Sequence, residues 1–141
     1  MRFAAIPLVA LGVAATLLGS CAMGPEPEAK LTPKQQKELA KLLDGKVAGE
    51  PVSCVSNFST ASNLRALSDD VLVMQVSRKL VYKNELRGTC TGLSRGDILV
   101  MTSWSGGQYC QGDMARAFDP YSGITSGACS LGKFVPYRAP K

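Results

Sequence analysis

Cysteine and aspartate are the residues of this 141-residue chain that could do chemistry, and histidine is absent. The five cysteines are Cys21, Cys54, Cys90, Cys110 and Cys129. A thiol can serve as nucleophile, metal ligand or disulfide partner. A Cys-His pair and a Ser-His-Asp triad both need an imidazole, so neither can form here. A zinc site calls for closely spaced ligand pairs. No Cys-x-x-Cys occurs, and the last four cysteines are 36, 20 and 19 residues apart. No metal ligand set and no cofactor are expected from this pattern.

The carboxylates point to structure rather than catalysis. Asp69, Asp70, Asp97, Asp113 and Asp119 all sit beside turn-forming residues, where a short carboxylate captures nearby backbone N–H groups. A carboxylate pair or a Ser-Lys dyad would be the route to a hydrolase, but only generic acids speak for it. Arg95-Gly96-Asp97 reads as a turn ahead of a strand. No glycine-rich phosphate loop precedes a helix. No catalytic residue is therefore assigned, and the chain is read as a non-enzyme.

The N-terminus tells where such a protein works. Arg2 is the only charge before Glu26, and Phe3 to Leu18 is apolar or small apart from Thr16. A membrane-spanning helix needs about 20 apolar residues. This run is shorter and leads into the polar Gly24-Pro-Glu-Pro-Glu28, which fits a secretory signal. Leu18-Gly19-Ser20-Cys21 resembles the lipobox of bacterial lipoproteins. The resemblance implies cleavage before Cys21, diacylation of its sulfur and a membrane anchor of several acyl chains. Ser20-x-Ala22 also fits ordinary signal cleavage, but that reading leaves the cysteine unexplained. Ala22 after the anchor resembles lipoproteins sorted to the outer membrane. The expected location is the bacterial cell envelope, on the outer membrane facing the periplasm.

Setting Cys21 aside leaves four cysteines, an even number that an exported chain joins as two disulfides. Strand order suggests the pairing. A hairpin turning near Arg95-Gly96 would bring Cys90 and Cys110 to one end, and neighbouring terminal strands would join Cys54 to Cys129. Expected pairs are therefore Cys90–Cys110 and Cys54–Cys129.

Three regions follow: a signal peptide at 1–20, the lipidated cysteine with tether and short helix at 21–46, and a disulfide-stapled β domain at 47–141. Thr32 is a natural N-cap, Pro33 suits the first helical position, Gln35 completes a capping box and Gly45 ends the segment. The resulting helix over 33–44 puts Leu39, Leu42 and Leu43 on one side and Lys34, Lys37 and Lys41 on the other. The lysines are read as a solvated face and the leucines as packed on the domain, with contact to anionic headgroups as the alternative. Beyond Val47, short apolar runs alternate with Gly, Ser and Asp. Strands are predicted at 52–55, 71–76, 80–86, 97–102, 114–118 and 133–137, with Leu72, Met74, Val76, Leu80, Tyr82 and Leu86 on an inner face. The expected fold is mainly β, a small antiparallel barrel or sandwich with two disulfides, preceded by the amphipathic helix. Without the leader, 15 basic residues face 11 acidic ones, a net charge of +4. They form no basic stripe with interleaved aromatics, so no nucleic-acid partner is expected.

An ordered set of pieces carries a wider resemblance. Cys54, Asp69-Asp70 before a strand, "LVYKNEL" at 80–86, "CTGL" at 90–93, "SGGQYCQGD" at 105–113 and "GACSLGKFVPY" at 127–137 resemble an uncharacterised family of small exported proteobacterial proteins. That family implies a disulfide-bearing envelope domain and brings no activity. A local resemblance concerns the stretch from Ser103 to Asp113, which holds the single tryptophan. Its Ser-x-Ser-Gly-x-x-Tyr is similar to the signature of membrane-bound C-type lysozyme inhibitors. The resemblance makes Trp104, Ser105, Gly106 and Tyr109 a candidate binding loop that would enter a lysozyme cleft. The tryptophan strand that follows the motif in those inhibitors is missing here, and a positive charge slows encounter with a basic lysozyme. Glycines between strands also read as a hairpin turn, with Trp104 and Tyr109 partly packed on the core. The expected partners are a membrane, through the anchor, and an envelope protein or a lysozyme.

Cys21→Ala is expected to abolish lipid labelling and to leave an uncleaved or soluble chain. Mass spectrometry of the mature N-terminus checks this; an unmodified terminus at Met23 contradicts it.

Overall fold

The computed structural model describes residues 31–57 and 63–140. The leader at 1–20, Cys21 and the tether up to Glu28 lie outside the described residues.

The helix forms where its capping signals place it. α1 spans Pro33–Leu43. The Thr32 amide donates to Gln35 Oε1 at 2.8 Å and the Gln35 amide donates to Thr32 Oγ1 at 3.4 Å, which closes the capping box. Asp44 is the C-cap, and Gly45 follows at φ 64°, a left-handed conformation that suits glycine.

Ten antiparallel strands follow among the described residues: β1 Val47–Ala48, β2 Cys54–Ser56, β3 Leu64–Ala66, β4 Val71–Ser77, β5 Leu80–Glu85, β6 Ile98–Thr102, β7 Gln108–Cys110, β8 Met114–Phe118, β9 Thr125–Ser130 and β10 Phe134–Arg138. They form a five-stranded sheet in the order β1-β10-β5-β4-β3, a pair β2-β7 and a three-stranded sheet β6-β8-β9. The six predicted strands reappear as β2, β4, β5, β6, β8 and β10 with ends shifted by a residue or two, and Val52 makes only an isolated bridge to Phe134. β1, β3, β7 and β9 were not anticipated. β9 reads Thr-Ser-Gly-Ala-Cys-Ser, which has little apolar alternation. Its Gly127 is required instead by a close approach: a Cβ there would lie 2.3 Å from the Thr91 amide nitrogen.

β4 explains the layering. Its first four residues are all buried, so both of its faces carry core. Leu72 and Met74 face a main core shared with Val55, Leu93, Ala115, Ala117, Leu131 and Phe134. Val71 and Val73 face the other way, into a second core with Leu67 and Val81. Leu39, Leu42 and Leu43 of α1 pack on that second core, while Lys34, Lys37 and Lys41 point to solvent. Full burial of each valine is worth roughly 1.5–3 kcal/mol, so the helix is part of the fold rather than an appendage. Val76 leaves the expected inner face, because the β4–β5 register shifts between Gln75 and Ser77.

Two expectations are corrected. The sheets do not close into a barrel: among the described residues β3 pairs only with β4, and β6 only with β8. The disulfides are Cys54–Cys110 and Cys90–Cys129 rather than the expected pairs. The expectation made β5 and β6 neighbours, whereas β5 lies between β4 and β10. Cys54 and Cys110 are directly opposed across β2 and β7. The bridge between Arg87 and Ser130 draws Cys90 to Cys129.

A buried carboxamide joins the layers. Asn84 of β5 is fully buried. Its Nδ2 donates to the Gly132 carbonyl at 2.9 Å, and the Gly132 amide donates to its Oδ1 at 3.1 Å. A Cβ on Gly132 would come within 2.1 Å of the Glu85 carbonyl oxygen, so only glycine allows this approach. Asn84→Asp keeps the shape but loses the donor and buries a charge. It is expected to cost about 2–4 kcal/mol in urea unfolding at neutral pH; an unchanged midpoint would contradict this account of the seam.

Candidate functional site

The sequence-predicted loop is built on a braced strand. Cys110 of β7 is tied to Cys54 by the disulfide, and the Gln111 amide donates to the Ser53 carbonyl at 2.7 Å. The buried Asp113 carboxylate accepts the Cys110 amide at 2.8 Å. At the other end, Ser103 Oγ donates to the Gln108 carbonyl and accepts the Ser105 amide, while the Asn57 amide donates to the Gly107 carbonyl at 3.0 Å. Gly107 takes φ 85° to make the turn. The loop is therefore closed by its own polar groups and leaves its apolar tip outside.

Its two aromatics part company. Tyr109 is half-buried and packs against the main core. Trp104 is 83% exposed. The expectation that both rest on the core holds for Tyr109 alone. Ser105 and Gly106 are exposed beside Trp104. The connection is also not a hairpin: β6 belongs to the three-stranded sheet and β7 pairs with β2, so the chain crosses between sheets.

The structure adds a surface that sequence reading did not single out. On the outer face of the three-stranded sheet, the Ile98–Phe118, Val100–Arg116 and Thr102–Met114 pairs lie side by side. Ile98 is 54% exposed, and Val100 and Met114 are also exposed. Tyr121 and Ile124 stand exposed on the loop from β8 to β9. Most of the large exposed apolar side chains among the described residues thus belong to this sheet and its loops. One signal was visible: Ile98-Leu-Val-Met101 is apolar at every position, and such a strand either is buried on both faces or shows one apolar face to solvent.

Three further aspartates hold neighbouring backbone or side chains. Asp69 Oδ1 accepts the Ser94 amide at 2.8 Å, and Asp97 accepts the Ser126 hydroxyl. Asp119 Oδ1 accepts the Tyr121 amide at 2.7 Å and the Ser122 amide at 2.9 Å. The backbone hydrogen bond from Ser122, then that from Tyr121, holds the Asp119 carboxyl below its ordinary 3.8. A depressed carboxylate stabilises the fold above its unfolded value, and that contribution is lost as pH falls below 3.8 through the folded value. Arg95, Asp97, Asp119 and Tyr121 line an open groove at this end of the sheet. A second groove, along α1, is lined by Lys34, Lys37, Lys41 and Arg65, with Glu38 ion-paired to Arg65. Among the described residues, no group of three His, Cys, Asp or Glu could hold a metal ion, and no helix is long and apolar enough to cross a membrane.

Comparison with known proteins adds a family. Residues 4–130 match a family of unknown function, DUF6491. The chain belongs to this family. The DUF6491 match takes in Cys21 and all four disulfide cysteines and ends at the close of β9. No curated protein and no solved structure matches the chain.

The two disulfides of this DUF6491 chain differ in access. Cys54 is exposed, whereas Cys90 is fully buried and Cys129 nearly so. Mild reductant acting on the folded protein is expected to open Cys54–Cys110 first, by roughly tenfold or more in rate, because thiolate attack needs access to sulfur. Differential alkylation with peptide mapping reads both the order and the pairing; earlier opening of Cys90–Cys129 contradicts it.

Proposed function

We propose that this protein is a non-catalytic lipoprotein of the bacterial cell envelope, anchored through Cys21 and working by presenting a binding surface. The observation that carries the reading is the division of labour among its side chains. The groups that could do chemistry are used to hold the fold. The four cysteines after Cys21 are paired as disulfides, and Asp69, Asp97, Asp113 and Asp119 hold turns or loops. Beside its charged residues, the surface also shows large apolar side chains: Ile98, Val100, Trp104, Met114, Tyr121 and Ile124. Exposed apolar clusters of this kind mark interaction sites. The disulfides also support an oxidising compartment, as an exported protein meets. The lipobox-like Leu18-Gly19-Ser20-Cys21 and Ala22 support an outer-membrane anchor with the domain in the periplasm and a first boundary at residue 20; the boundary at 46 rests on the short alternating apolar runs that begin near Val47.

A second reading is favoured by Trp104. An 83%-exposed indole on a loop closed by Ser103 and braced by a disulfide is a preformed anchor for a cleft. This suits a lysozyme inhibitor acting through Trp104, Ser105, Gly106 and Tyr109.

One assay separates the readings. Residues 30–141 are added to lysozyme in a turbidity assay and, separately, to cell-wall fragments alone. The binding-protein reading expects neither inhibition nor turnover, together with a discrete crosslinked adduct at Val100 in intact envelopes. Near-stoichiometric inhibition that Trp104→Ala removes supports the second reading. Turnover of wall fragments overturns both.

A further inference from the structure

We propose that two copies of the chain pair through β6, edge to edge and antiparallel about a two-fold axis at Val100, joining their three-stranded sheets into one six-stranded sheet.

The first observation is the edge itself. An edge strand offers unpaired N–H and C=O groups, and proteins shield such edges with charge, proline, bulges, short length or a covering segment. Each other edge here has such a device. β1 is two residues long, β2 and β7 are three residues long each, and β3 is three residues long and carries Arg65. β9 is covered by 87–91, through the Arg87–Ser130 bridge, the Cys90–Cys129 disulfide and the approach of Thr91 to Gly127. β6 has none among the described residues: Ile98–Thr102 holds five residues without charge, proline or register shift. No hydrogen bond from another described element reaches its free edge.

The second observation selects the occupant. Whatever covers β6 must be an extended strand that is apolar on both faces, because Leu99 and Met101 pack on the main core while Ile98 and Val100 are exposed. β6 itself is such a strand. Centred on Val100, the antiparallel register sets Val100 against its own copy, Ile98 against Thr102 and Leu99 against Met101. All five residues pair, the inner row is apolar throughout, and no charge is buried in either row. The same operation carries the Trp104 end of one copy to the Ile98 end of the other, so exposed apolar surface meets exposed apolar surface. Such self-matching is what a two-fold interface requires.

The third observation is the placement of the helix. α1 packs on the face of the five-stranded sheet opposite the main core, and the three-stranded sheet lies across that core. A two-fold axis perpendicular to the joined sheet leaves both helices on one side, so the chain segments leading to both Cys21 residues can reach a single membrane. Face-to-face pairing of the apolar sheets would point them apart. This last point rests on the lipid-anchor reading; the first two do not. Anchoring would also raise the local concentration of copies and favour pairing.

Residues directly opposed in an antiparallel pair have Cα atoms about 4.5–5.5 Å apart, within disulfide reach. Position 98 lies about 14 Å from its own copy in this register, which is out of reach. The full chain carrying V100C is therefore expected to give, on mild oxidation in intact envelopes, a covalent dimer whose linked peptides both contain position 100. I98C alone gives none, and I98C co-expressed with T102C gives a mixed dimer. A V100C chain that stays monomeric with both native disulfides intact overturns the proposal, and so does I98C crosslinking as fast as V100C. V100K, which places a charge on an already exposed site, is expected to turn the dimer into monomer in sedimentation while keeping both native disulfides and a cooperative urea transition. A persistent V100K dimer overturns the proposal. Repeating the crosslink on concentrated purified chain with C21A separates the two ideas. Loss of the anchor there tests the lipoprotein reading, whereas loss of the position-100 link counts against the pairing.

Discussion

The fold depends on one buried contact, the pairing of the Asn84 carboxamide with the backbone of Gly132. A carboxamide offers a donor and an acceptor, so in the interior it can stand in for a neighbouring strand. It does so where the chain passes from β9 to β10, between the three-stranded sheet and the centre of the five-stranded one. Around it lie the fully buried Phe134 and Leu131, the Arg87–Ser130 bridge and the buried end of the Cys90–Cys129 disulfide. Leaving either Gly132 group unpaired there carries the desolvation cost of a buried polar group. A side chain on Gly132 would be driven into the Glu85 backbone.

From that seam the layers follow. β4 and β5 carry apolar residues on alternate faces, and each face receives a separate partner. One is α1 with its leucines; the other is the main core beneath the smaller sheets. A domain with one α-helix in its described residues can bury β4 on both faces only if that helix is docked. Among the described residues no layer lies beyond the three-stranded sheet, so Ile98, Val100 and Met114 stay exposed. The apolar surface is thus a consequence of where the layers stop, and it lies on the side away from the helix.

The parts of this arrangement that are local were legible in residue order. The Thr32–Gln35 capping box, the leucine stripe of α1, the apolar run of β4, the alternation along β5 and the turns held by Asp113 and Asp119 each depend on neighbours a few residues away, and they appear nearly where expected; Asp69 and Asp97 instead bond to Ser94 and Ser126, 25 and 29 residues on. The even set of cysteines after Cys21 foretold two disulfides. Pairing could not be read in the same way. The cystines join residues 56 and 39 positions apart, and which strands lie beside them is set by the sheet order. β9 was hidden because its strand character comes from its pairing with β8, and its Gly127 from the close approach of Thr91 and Cys90, rather than from an apolar alternation of its own. The candidate loop was found by its residues, but the exposure of Trp104 and the burial of Tyr109 depend on β6 and β7 entering different sheets.

By itself, the sequence determined the helix and its caps, the β character of the domain, the lack of imidazole chemistry and the number of cysteines left to pair, because propensity, periodicity and composition act over short spans of chain. Only the tertiary structure decided the cystine partners, the open rather than closed sheet, the two-sided burial of β4 and the exposed face around Val100. Those depend on which distant segments share a core, and contacts between distant segments leave no fixed spacing in the sequence.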